Sequence, residues 1–154
     1  MLRNVIEGEN ITRIYKISKE TRRGSLMVKN LTTESADKAD DVGTETYLLD
    51  FDFQPMGYQS DMEISAYTDQ ADIVPAGTLG ILVKPAVGSV WATDQINMAE
   101  VAKGDYLMAG TGDDVGKFVK AISGKTTVYK YVGEYNDAGH ELQAFEIVEP
   151  KTIA

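Results

Sequence analysis

Tyr47, Leu49, Phe51 and Phe53 alternate with Leu48, Asp50 and Asp52 in the cleanest period of two along this chain. Successive side chains of a strand point to opposite faces, so the segment predicts a core-facing strand with a wet outer face, stopped by Pro55 and Gly57. Similar patterns precede it. Ile11, Arg13, Tyr15 and Ile17 interleave with Thr12, Ile14 and Lys16, as in a strand with two partly covered faces. Arg22-Arg23-Gly24 breaks that run, and residues 25–31 predict a second strand. Residues 32–43 carry Glu34, Asp37, Asp40 and Asp41 and read as a polar loop with room for one helical turn.

The remainder follows the same style. Residues 62–67 predict a strand, and Pro75-Ala76-Gly77 a turn into a buried strand over 79–83. Pro85 and Gly88 end that strand, and Val90-Trp91-Ala92 resumes. Residues 93–103 are the one stretch with a case for helix, capped by Thr93 and stopped by Gly104. Residues 103–148 then predict an antiparallel meander. Strand-length runs rich in Val, Tyr, Phe and Thr are separated there by turns at 110–114, at Ser123-Gly124 and at 136–139. No period of 20–50 residues marks a solenoid or propeller. The expected fold is all-β, a small antiparallel barrel or sandwich over 45–154. Residues 1–44 are expected to form an extended N-terminal arm and an acidic loop, with at most one short helix overall.

Composition narrows the function. A chain of 154 residues is one ordinary domain, large enough to bury a core without staples. The absence of cysteine removes disulfide frameworks, zinc ribbons and thiol catalysis together. No apolar run approaches the roughly 20 residues that span a bilayer, and the first residues lack the apolar stretch of a signal peptide. The expectation is a soluble protein outside the general secretory route, with no membrane partner.

Charge is unevenly placed. The net charge is −9, yet residues 1–30 hold seven basic residues against three acidic ones, which leaves −13 on the rest. A basic leading segment on an acidic body predicts docking on an acidic partner surface through Arg13, Lys16, Arg22 and Arg23. The competing reading is a solvated amphipathic edge. An acidic body also predicts that the protein does not coat nucleic acid.

Candidate chemistry is sparse. The single imidazole, His140, falls in a predicted hairpin turn, and Asp50/Asp52 and Asp113/Asp114 read as a solvated strand face and turn residues. Gly110, Gly112 and Gly116 lack the helix and the Gly-Lys-Ser/Thr ending of a phosphate loop. No catalytic, metal or cofactor residue is expected. Tyr129, Tyr131 and Tyr135 gather near Lys125 and Lys130, where core packing with interface contact outweighs stacking on bases or sugars. Tyr129 and Tyr131 therefore join the candidate partner-binding residues. Long strand edges rich in Tyr and Val predict self-association, with a trimer favoured.

Arg23-Gly24-Ser25-Leu26-Met27-Val28, residues 73–80 and Lys103-Gly104-Asp105-Tyr106-Leu107, with the closing hairpin over 131–148, resemble the diffuse strand-and-glycine rhythm of tailed-phage head decoration (capsid cement) proteins. That resemblance implies a small, often trimeric β domain with an N-terminal arm lying on the major capsid protein. It also implies a place on the virion surface after assembly in the host cytoplasm. It brings no catalytic residues. Residues 73–78 are also similar to a phrase of trimeric dUTP pyrophosphatases, but the Gly-x-Ile-Asp-x-x-Tyr segment on which that chemistry depends is missing. A tail-tube or head-completion protein is the structural alternative. A carbohydrate-binding module using Trp91 and the Tyr129–Tyr135 cluster is the alternative of another class.

Overall fold

The computed structural model describes residues 1–52 and 69–154, so the expected end of the Tyr47–Phe53 strand and the strand over 62–67 lie outside the described residues. The protein is all-β. In chain order the strands are β1 (Leu2–Ile6), β2 (Ile11–Ile17), β3 (Thr21–Arg22), β4 (Leu26–Asn30), β5 (Ser35–Lys38) and β6 (Tyr47–Asp50). After one helical turn, Asp69–Asp72, come β7 (Ile73–Val74), β8 (Leu79–Lys84) and β9 (Val90–Thr93). The chain closes with β10 (Tyr106–Ala109), β11 (Phe118–Lys120), β12 (Thr126–Asp137) and β13 (His140–Thr152).

Five of these strands close a barrel in the order β2-β5-β4-β6-β8, and six form a second sheet in the order β1-β9-β13-β12-β10-β11. The barrel is antiparallel except at the β2–β5 seam, which is parallel and only two pairs long, Lys16↔Ser35 and Ile17↔Ala36. Ile17, Met27, Ala36, Leu49 and Leu82, one from each barrel strand, fill the inner core together with Val74. Gly80 leaves them room. A Cβ there would stand 2.9 Å from both Ile17 Cδ1 and Leu49 Cδ1.

The outer face of the same wall is buried as well. Leu26, Leu48 and Val83 lie side by side across β4, β6 and β8 and pack against the second sheet. There they meet Trp91, Leu107, Phe118, Tyr129, Phe145 and Ile147. Phe118 and Phe145 sit 4.5 Å apart between ring centroids, and Phe118 meets Tyr129 edge-on at 5.1 Å. Such aromatic geometry adds about 0.5–1.5 kcal/mol to area burial for each pair. A third, smaller core of Met1, Ala92, Leu142 and Ala144 lies where β1, β9 and β13 adjoin.

Several expectations need correction. Residues 1–44 are no arm, because β2, β4 and β5 make three of the five barrel walls and β1 pairs with β9. Residues 32–43 are not all loop. Asn30 Oδ1 accepts the Thr32 and Thr33 N–H groups, which turns the chain back so that β5 pairs with β4. Residues 93–103 form no helix. Thr93 ends β9, and its hydroxyl accepts the Gln95 N–H, while the Phe118 backbone accepts the Asn97 N–H and donates to the Gln95 carbonyl. The outer side of β6 is not wet either, since Leu48 and Leu49 are both fully buried.

The closing hairpin is longer than the meander predicts. Asn136 and Asp137 still belong to β12, and the turn is only Ala138-Gly139, with φ of 51° and 95°. Positive φ at both central residues suits the twist of a two-residue hairpin. The Asn136 side chain braces it by accepting the Gly139 N–H at 2.9 Å.

Candidate partner-binding surface

β2 is the strand least absorbed by the fold. From Ile11 to Lys16 it pairs along β8, but β5 reaches it only at Lys16 and Ile17, so its first half stands clear of the barrel on that side. Exposure follows from that geometry. Ile11 is 53% exposed, Ile14 68%, and Leu79 of β8, opposite Lys16, 65%. Ile14 faces the same way as Ile81, its partner on β8, while Arg13 shares the opposite face with Leu82. Isolated exposed apolar residues are ordinary, but here three large ones share a two-strand ribbon with two cations.

The six residues expected to bind a partner divide into three groups. Arg13 and Lys16 are exposed on this ribbon and have no carboxylate within ion-pair distance among the described residues. Arg22 and Arg23 are committed to their own chain. Arg22 Nη1 lies 3.3 Å from Asp72 Oδ2, and Arg23 Nη2 lies 2.7 Å from Asp50 Oδ1. The basic surplus of the first 30 residues is thus partly neutralised by the acidic body. Tyr129 and Tyr131 are core residues, 0% and 5% exposed. They strengthen the fold and offer a partner no ring surface. Burial raises the pKa of both hydroxyls, and the hydrogen bond between Thr46 and Tyr129 offsets part of the rise at Tyr129.

Two of the rings on which the carbohydrate reading relies are closed on the same ground. Trp91 is 6% exposed and donates its indole N–H to Ser89 Oγ at 3.2 Å, so its ring, like that of Tyr129, is closed to a sugar face. One member of each carboxylate pair is engaged. Asp50 meets Arg23. Asp114 accepts from Asn97 Nδ2 at 2.9 Å and faces Lys117 Nζ at 3.3 Å, contacts that hold its carboxyl below the usual range. Asp113 lines a polar cavity of about 290 Å3 with Glu20 and with the cations Arg22, Lys38 and Lys117, which outnumber the two carboxylates and disfavour a bound metal cation. Among the described residues no group of three metal-ligating side chains converges. His140 opens β13 at the exposed hairpin tip.

Leu79, the first residue of β8, corrects the expected buried strand over 79–83, being 65% exposed, and Ile14 escapes the sequence pattern for an identifiable reason. In β2 an apolar residue occurs on each face, so the pattern does not say which face water keeps. Comparison with known proteins finds no family model, curated relative or solved structure that matches the chain.

Proposed function

We propose that this is a non-enzymatic structural protein of a phage particle that binds the outer surface of the head and stabilises it. The observation that supports this reading best is the β2–β8 ribbon, where Ile14 and Leu79 stand exposed with Lys16 on one face and Ile11 with Arg13 on the other. Apolar side chains supply contact area, and two cations that meet no carboxylate among the described residues, on a chain of net charge −9, supply orientation toward an acidic surface. The sheet edge at β1 leaves backbone groups for pairing with further copies, which supports self-association, with a trimer as the proposed attaching unit. Attachment through several weak contacts then gains avidity, and a protein that binds only the assembled shell stabilises it by mass action.

The test has two parts. Quantified against the major capsid protein of purified particles, the chain should be present at high copy number on heads. Its presence in tails alone would favour the tail-tube or head-completion reading. Arg13→Glu with Lys16→Glu should weaken co-sedimentation with empty heads and reduce its salt sensitivity, with the melting temperature unchanged. Undiminished attachment of that variant would remove β2 from the interface.

A further inference from the structure

The β4–β6 ladder contains only two pairs, Leu26↔Leu48 and Met27↔Tyr47. β4 continues to Asn30 on its β5 side, so beyond Met27 its other side has no strand partner among the described residues. The divergence opens a groove of about 400 Å3. Val28, Leu31 and Val42 supply its apolar lining, and Lys29, Tyr47 and Lys84 its aromatic and cationic lining.

The two lysines are placed unusually. Lys29 Nζ lies 4.5 Å from the Tyr47 ring centroid and 5.2 Å from that of Tyr15, and Lys84 Nζ lies 5.3 Å from Tyr47. Lys84 also donates to the Thr46 carbonyl at 3.4 Å. Neither ammonium has a carboxylate within ion-pair distance among the described residues, although Glu45 also lines the groove. Two like charges brought to one tyrosine ring repel each other, and an anion between them relieves that repulsion. Leu31, 77% exposed, stands on the same groove with nothing covering it.

We infer that this groove binds an acidic, extended peptide segment of a partner protein. The unpaired side of β4 offers backbone donors and acceptors to an extended chain. A glutamate or aspartate of the segment meets Lys29 and Lys84. Apolar residues spaced by two along the segment meet Val28 and Leu31, because alternate side chains of an extended chain share a face. The inference does not depend on the capsid reading, since a peptide in solution suffices to examine it.

The experiment titrates three probes into the whole protein, followed by fluorescence anisotropy or by displacement of a labelled peptide. The first is a peptide alternating leucine and glutamate, the second one alternating leucine and lysine, the third inorganic phosphate. Binding of the first alone is expected. Lys84→Gln and Lys29→Gln should each weaken it about tenfold, as loss of one partner of a charge pair does. Leu31→Ser changes an exposed side chain, so it should weaken binding with no change in melting temperature, which keeps the test valid even if Lys29→Gln unfolds. Absence of binding at millimolar peptide overturns the inference. So does equal binding of the basic peptide, equal competition by phosphate, or binding by Lys84→Gln and Leu31→Ser that matches the parent.

Discussion

The hydroxyls of Tyr129 and Thr46 lie 2.6 Å apart inside the larger core, joined across 83 residues of sequence. Both side chains are fully buried, so each is the other's answer to a costly desolvation. Tyr129→Phe should therefore cost about 1–3 kcal/mol in urea denaturation by leaving the Thr46 hydroxyl without this bond. The effect has a pH signature. Burial raises the Tyr129 pKa above its ordinary 10.0, so its contribution is complete below that pH and falls as pH rises, when only the unfolded phenol ionises. The gap between parent and variant should narrow above pH 10. A gap that stays constant there would remove Tyr129 from the alkaline response.

Asp72 offers a second test. It is 1% exposed, lies against the part-buried Met1 ammonium, and meets Arg22 through its other oxygen. Removing one member of a buried ion pair strands the rest, at a cost of about 3–5 kcal/mol. Asp72→Asn should lower the urea midpoint accordingly, while Asp94→Asn, on the exposed flank of the same ammonium, should cost less. Equal effects would mean that burial does not set the strength of this cluster.

At the hairpin tip a gain is expected. Ala138 holds a φ of 51°, a left-handed conformation that glycine and asparagine tolerate better than alanine. Ala138→Asn should stabilise the protein by about 0.5–1 kcal/mol and raise its melting temperature. No rise, or a fall, would show that the turn relaxes in solution to a geometry alanine accepts.

The all-β class was legible because period-two patterns and turn residues are local signals. β2 was foreseen residue for residue, and the turns at Ser123-Gly124 and Pro75-Ala76-Gly77 fall where the sequence places them. What stayed hidden depends on partners distant in the chain. Leu48 shows itself as a core residue only once Leu26 and Val83 lie beside it. Ser35–Lys38 is too short and polar to announce a strand, and becomes one through Asn30 and the pairing with β4. The candidate surface was half visible. Charge singled out Arg13 and Lys16, which the fold leaves exposed, but Arg22 and Arg23 meet Asp72 and Asp50 from beyond any local window. Tyr129 and Tyr131 looked like interface residues because tyrosine suits both settings, and only the packing of Phe118 and Phe145 decides between them.

The partition formed by β4, β6 and β8 has one further consequence. Leu48 and Leu49 are neighbours in sequence, yet one serves the core between the layers and the other the barrel interior. A slip of β6 by a single residue would exchange them and empty both cores at once. Neither half can loosen while its neighbour stays closed, so the two layers melt as one cooperative unit. Amide protons of β6 should then exchange with solvent only through global opening, and the hinge of any smaller motion must lie elsewhere.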